Sequence, residues 1–294
     1  MRLGIIGLGD IATKAYLPVL AAIPGLDLRL CTRNPEQLRR LGAAYRIQDR
    51  FTRVADLIAA GIDAAFVHAA TAAHVEIVTR LLEAGVHVFV DKPLAYHFTD
   101  AEKLVQLART RELSLMVGFN RRHAPGYTAL AGLPRDLVIM QKNRSGLAED
   151  PRTAIFDDFV HVVDTLRFLA PGEVTATRIR TRVADGLLEH VVLELDGDGF
   201  TALGIMSRVS GAAEETCETM GGGVKRRVVN LGDVVDFTPG ETLVRRPDWT
   251  PVPRQRGIEQ ACLAFLDAVG AGRLLDAGDA LETHLLCEQI VNQG

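Results

Sequence analysis

Apolar positions in the first 120 residues come in short blocks, each followed by a polar and apolar mixture with helical spacing. Arg2 to Gly7, Leu26 to Leu30, Tyr45 to Ile47, Asp63 to His68, Val86 to Val90 and Ser114 to Phe119 read as strands, rich in β-branched and aromatic residues. Between them Ile11 to Ile23, Pro35 to Leu41, Val54 to Ala60, Ala73 to Ala84 and Thr99 to Arg111 read as helices, the last with Thr99 and Glu102 at capping-box spacing. Regular alternation of this kind predicts a doubly wound parallel sheet. After Asn120 the pattern changes. Leu137 to Lys142, Val174 to Val183, Leu188 to Leu195 and Thr201 to Arg208 alternate with period two, and turns such as Asp196-Gly197-Asp198-Gly199 separate them. They predict hairpins of a large, mostly antiparallel open sheet. One helix, Ile155 to Leu169, interrupts this texture with Phe156, Val160, Val163 and Phe168 on an apolar face, and two more, Ile258 to Val269 and Gly278 to Val291, close the chain. The fold class is therefore α/β, with residues 1–120 as one domain and 121–294 as a second, and with the C-terminal helices free to pack back on the first.

Composition narrows the class of function. With 48% hydrophobic residues the chain can bury substantial cores, and a net charge of −4 without a basic block gives no footprint for nucleic acid. No apolar run reaches the length of a membrane span and no leader-like segment precedes the first strand, so a cytoplasmic protein without a membrane partner is expected. The four cysteines, Cys31, Cys217, Cys262 and Cys287, have no C-x-x-C spacing and read as core fillers. No His, Asp or Glu set has metal-ligand spacing, so no metal is expected.

Chemistry concentrates in three places. Gly7-Leu8-Gly9-Asp10-Ile11-Ala12 follows the first strand directly and opens a helix, which is the G-x-G-x-x-A dinucleotide fingerprint in its proper context. The strand ending at Val90 runs into Asp91-Lys92-Pro93, which holds a charged pair at a strand's carboxyl end, the edge where open α/β sheets bind ligands. On the helix in the second half, Asp157 and His161 are four residues apart and Asp164 three further on, so acid and imidazole share a side, as a general acid/base is commonly arranged. The bland alternatives are a solvated ion pair in a loop and a surface His-Asp pair. Asp158, about 100° around the helix, is expected to be nearly silent in catalysis unless the helix is rotated from this reading. At the end of the second strand Cys31-Thr32-Arg33 lacks the carboxylate that binds a ribose 2′-OH, while a hydroxyl and a guanidinium suit a 2′-phosphate; NADP(H) is therefore expected over NAD(H), with NAD(H) use left open.

These motifs, together with FVHAATAAH (66–74), GVHVFVDKPLA (85–95), LMVGFNRRHAP (115–125) and DDFVHVVDTLRFLA (157–170), resemble the Gfo/Idh/MocA oxidoreductases, and among them the MviM-type proteins, over essentially the whole chain. The resemblance implies a Rossmann domain, an α/β substrate-binding and oligomerisation domain, and hydride transfer between a nicotinamide and an alcohol or carbonyl of a sugar, sugar acid or cyclitol. It implies cofactor contacts from Gly7, Gly9, Asp10, Ile11, Ala12, Thr32, Arg33, Ala70, Thr71, His74, Asp91, Lys92, Asn120 and Arg121, and catalysis by Lys92, His161 and its partner Asp157. Two departures stand out: Asp91 replaces the usual glutamate, and Phe159 occupies a position that is often glycine. Ala72 also replaces a proline in the turn before His74. Among the other histidines, His68 and His87 read as packed, His97, His190 and His284 have no partner pattern, and His123 is not expected to touch substrate; Trp249 could close over a ligand or seal the core. Two other classes stay open, an NAD-assisted lyase or glycosidase and a non-catalytic NAD(P)-binding sensor, though a sensor would be expected to have lost Lys92 or His161. An open sheet also predicts a homodimer or higher homo-oligomer, through apolar residues of Val191 to Leu195 and Leu203 to Met206.

Overall fold

Strands β1 (Arg2–Ile6), β2 (Asp27–Cys31), β3 (Arg50–Phe51), β4 (Ala64–Val67), β5 (His87–Val90) and β6 (Leu115–Val117) form one parallel sheet in the order β3-β2-β1-β4-β5-β6. That order reverses at β1, the arrangement of a Rossmann sheet. Every residue of β4 is buried, as a central strand covered by helices on both faces must be. Across its face Phe66 and Phe89 stack with ring centroids 4.6 Å apart, and Phe265 meets Phe66 edge-on at 5.4 Å. Phe265 belongs to the helix Ile258–Gly270, whose Ile258, Ala261, Cys262 and Leu266 enter the same apolar cluster as Leu3 and Ile5. The computed structural model describes residues 1–293. By contacts the chain divides into a unit of Met1–Gly118 with Ile258–Leu281, and a unit of Phe119–Gly257 with the stretch from Glu282.

The second unit is built on eight strands: β7 (Leu137–Asn143), β8 (Val174–Ala184), β9 (Leu187–Gly197), β10 (Phe200–Ser207), β11 (Glu214–Gly221), β12 (Val224–Val229), β13 (Asp233–Asp236) and β14 (Thr242–Val244), in the order β14-β13-β12-β11-β7-β10-β9-β8. Only β7 and β10 pair in parallel. The helix Val160–Leu169 covers one face, and Gly204 on β10 lets it approach: a Cβ there would stand 2.7 Å from Val162 and 2.8 Å from Leu166. Val191, Leu193, Leu195 and Met206 point to that helix and are buried, whereas Val192, Leu203 and Ile205 lie on the opposite face and stay partly exposed. The outward apolar set is thus every second residue of the two stretches singled out from the sequence, as the two-residue period of a strand demands.

Several local expectations are corrected. The third strand is Arg50–Phe51, not Tyr45–Ile47, and Arg46, inside the expected stretch, takes a left-handed φ of 58° that no strand residue has. The capping box does not form, because the helix starts at Phe98 with His97 at its N-cap and no side-chain cap. The first helix is a π-helical turn, Ala12–Tyr16, followed by Leu17–Leu20, and the helix in the second half likewise begins as Pro151–Ala154, passes through a π-helical turn at Ile155–Phe159 and continues as Val160–Leu169. Four strands, β11 to β14, were not foreseen. Trp249 is 96% exposed and seals no core. His284, without a sequence pattern, is buried against the rings of Phe119 and Phe156.

Candidate active site

In the first unit the parallel strands place their carboxyl ends along one edge. Gly7 follows β1 with φ +85°, and a Cβ on it would lie 2.4 Å from the backbone nitrogen of Ala69, so the packing of the loops after β1 and β4 itself demands glycine. Gly9 is different. A Cβ there would meet nothing within 4 Å. Nothing in the chain's own packing requires that glycine, whereas close approach of a pyrophosphate to backbone does, so the residues present fit a dinucleotide. The turn is braced by Gln37 Nε2 donating to Leu8 O at 3.0 Å and by Thr13 Oγ1 donating to Gly9 O at 2.8 Å. Asp10 and Ile11 are exposed on this turn and Ala12 is buried beneath it. After β2, Thr32 is half-buried, while Arg33 is exposed and makes no ion pair among the described residues. The neighbouring Arg29 is committed elsewhere, donating to Ala60 O and Gly61 O at 2.7 Å each.

After β4 and β5 the same edge carries Ala70, Thr71, His74, Asp91 and Lys92. Both ring nitrogens of buried His74 face main-chain carbonyls, Nδ1 at 2.8 Å from Pro93 O and Nε2 at 2.9 Å from Ala69 O. A neutral ring carries one N–H and can donate to only one of them; donation from Nδ1 to Pro93 O ties the loop after β4 to the loop that carries Lys92. Burial holds the His74 pKa below its ordinary value. Asp91 Oδ1 accepts the Lys92 N–H at 2.8 Å, and its other oxygen lies 3.7 Å from His68 Nδ1, beyond hydrogen-bond length. Burial opposes the charge on Asp91, but His68 and Lys92 outweigh it and keep its pKa low, so it is ionised. Tyr16 packs on His68 with ring centroids 4.0 Å apart, and burial raises its pKa well above that of a free phenol.

The remaining sequence candidates, Asn120, Arg121, Asp157 and His161, belong to the second unit. Asn120 Nδ2 donates to Arg256 O at 2.6 Å, and Arg121 is buried in a bidentate pair with Glu215, at 2.8 and 2.6 Å, which Tyr127 Oη joins at 2.9 Å. Asp157 and His161 are half-buried on the same helix. Asp164 is fully committed: Arg122 binds it in a fork, Nε at 2.9 Å and Nη2 at 2.7 Å, and Thr283 Oγ1 donates to it at 3.2 Å. Asp158, next to Asp157, is the centre of a cation cluster. Its carboxylate accepts from Lys142, from Arg144 at 2.7 and 2.9 Å, and from Arg208 at 3.0 Å. These cations more than offset its desolvation and hold its pKa far below the usual carboxylate range. Sequence reasoning missed this hub; the only local trace was Lys142 and Arg144 two apart on one side of a strand. Among the described residues no group of three or more His, Cys, Asp or Glu side chains could hold a metal, and no helix is long and apolar enough to cross a membrane.

Comparison with known proteins agrees with this geometry. Residues 1–119 match the Gfo/Idh/MocA family model, described as an oxidoreductase family with an NAD-binding Rossmann fold, and residues 135–236 match the YceM-like C-terminal domain. The oxidoreductase candidate YceM of Salmonella typhimurium is 35% identical over 277 residues, 92% of this chain and 89% of that protein. This chain belongs to the Gfo/Idh/MocA oxidoreductase family. Within the family it is similar in structure to the dehydrogenase MviM from Clostridium difficile, with a TM-score of 0.94 and 30% identity over 100% of this chain and 99% of that one. A myo-inositol dehydrogenase of Streptomyces leeuwenhoekii, Hyg17, is 30% identical over 198 residues, 63% of this chain and 59% of that protein. The protein is thus an oxidoreductase with a dinucleotide-binding domain.

Proposed function

We propose that this oxidoreductase oxidises or forms an alcohol on a small polyhydroxylated molecule, with NADP(H) preferred over NAD(H). The observation that carries the reading is the edge of the first sheet, where a glycine turn open at Gly9 lies on the same side as the fixed pair Asp91-Lys92. The inositol dehydrogenase among the relatives supports the substrate class. When bound, the nicotinamide supplies or accepts the hydride. The chain's own part is the proton and the charge: His161, oriented by Asp157, takes the hydroxyl proton, and the Lys92 ammonium stabilises negative charge developing on that oxygen. In the reverse direction the imidazolium returns the proton. Phe159, fully buried beside Val160 and Phe156, is assigned to packing and not to the substrate.

The cofactor preference rests on Arg33, exposed and without an ion pair among the described residues, where a 2′-phosphate would be met. Calorimetry should show NADPH binding more tightly than NADH, and Arg33→Ala should erase the difference; equal or tighter NADH binding to the unmodified protein contradicts it. Substrate is sought by following nicotinamide absorbance with a panel of sugars, sugar acids and inositols and both cofactors. Retained cofactor without net turnover would instead favour the lyase or glycosidase class. A homodimer through the open face of the second sheet completes the proposal, with Val192, Leu203 and Ile205 at its centre.

A further inference from the structure

Within the second unit a cavity of about 210 Å³ lies beside β7 and β11, lined among others by Arg121, Lys142, Arg144, Glu215, Asn230 and Arg256. Its buried acid is already paired: Glu215 accepts from Arg121 and Tyr127, while the exposed Glu214, also in the lining, accepts from Asn143 Nδ2 at 3.1 Å, so the lining cations Arg121, Lys142, Arg144 and Arg256 outnumber the two carboxylates. Their donors are not all used. Lys142 is only 3% exposed, yet among the described residues its ammonium has a single acceptor, Asp158, so two of its three N–H groups have none. Arg144 spends Nε and Nη2 on Asp158 and leaves Nη1, and Arg121 Nη1 has only a long 3.4 Å contact with Asn120 Oδ1.

Cations with donors to spare that outnumber the carboxylates of the lining match a ligand group that carries several acceptor oxygens and negative charge. Part of the wall is the tight turn between β12 and β13, where Asn230 and Leu231 have φ of 49° and 61° and Asn230 Oδ1 accepts the Glu215 N–H at 3.0 Å. The cavity is also tied to the candidate catalytic helix, because Asp158, which anchors Lys142 and Arg144, lies next to Asp157 and three residues before His161.

We propose that this cavity binds an oxyanion, a carboxylate or a phosphate, borne by the substrate, so that the alcohol this enzyme oxidises belongs to an acidic polyol. The assignment rests on the oxidoreductase reading above and names its substrate class. Binding is measured apart from turnover, so the two can fail separately. The full-length protein is titrated calorimetrically with D-gluconate, with inorganic phosphate and with the neutral myo-inositol, and NADPH binding is measured in parallel. D-Gluconate, phosphate or both should bind more tightly than myo-inositol. Loss of a charge-assisted contact should weaken that binding about tenfold or more in Lys142→Met and in Arg144→Gln, with NADPH affinity within about twofold of the parent. Arg144 sits at the partly exposed rim, so its variant tests the site even where Lys142→Met fails to fold. A response to gluconate alone identifies the carboxylate as the source, and a response to phosphate alone a phosphorylated polyol. Tighter binding of myo-inositol than of both anions, or anion affinity unchanged in a folded Arg144→Gln, overturns the proposal whether or not any alcohol is turned over.

Discussion

Gly7 and Gly9 separate two reasons for a glycine, one internal to the chain and one external. Alanine at position 7 must adopt a left-handed φ and put its Cβ 2.4 Å from the Ala69 nitrogen, so Gly7→Ala should destabilise the first unit by about 1–3 kcal/mol and lower its melting temperature. Gly9→Ala meets nothing in the protein. It should melt like the parent and lose NADPH affinity about tenfold or more, because only the pyrophosphate needs the space; a normal affinity would mean the turn does not cradle phosphate. The glycine turn and the Asp91-Lys92 pair were legible because each is contiguous in the chain and flanked by its own strand. The pairings of Asp164 with Arg122 and of Glu215 with Arg121 were not, since each joins residues far apart in sequence, and nothing around a single arginine names its partner. His74 was placed beside the cofactor by resemblance alone, and its role between two carbonyls became visible only once both loops were in place.

At the scale of elements, Asp158 lies in the π-helical turn at Ile155–Phe159. A turn closed by i→i+5 bonds holds an extra residue and changes the phase of what precedes it, so a wheel drawn at 3.6 residues per turn does not carry across it. Asp158 meets three cations, two of them buried. Asp158→Asn leaves buried Lys142 without its counter-charge and Arg208 with Glu149 alone, and should cost about 3–5 kcal/mol, read as a lower denaturant midpoint with unchanged slope. The sign of the pH effect follows from a folded pKa below the unfolded one. The Asp158 contribution is fully present above the unfolded value of about 3.9 and is lost as pH falls below it toward the folded pKa. The parent should therefore lose stability in acid more steeply than Asp158→Asn, and parallel stability curves would contradict the assignment. Strands with apolar alternation, such as β9 and β10, were readable in advance. β11, with the sequence EETCETMG, was not, because its polar residues form a strand only when β7 and β12 pair with it.

For the whole molecule, the fold class followed from the change of periodicity near residue 120, while assembly and catalysis depend on surfaces and distances that no periodicity encodes. The outward face of the second sheet presents Val192, Leu203 and Ile205, with a recess of about 380 Å³ lined by Ile139, Gln141 and Thr216 among others. Leu203→Asp should convert the expected dimer to monomer in light scattering at micromolar concentration, and a monomeric parent would remove the proposed interface. The central claim is that Lys92 and His161 act on one substrate oxygen, and the most direct test is the kcat of Lys92→Met and His161→Ala on the alcohol that the panel identifies, with NADPH affinity measured on the same samples. The account predicts that each variant loses about 100-fold or more in kcat while holding NADPH nearly as well as the parent; full activity in His161→Ala would contradict it.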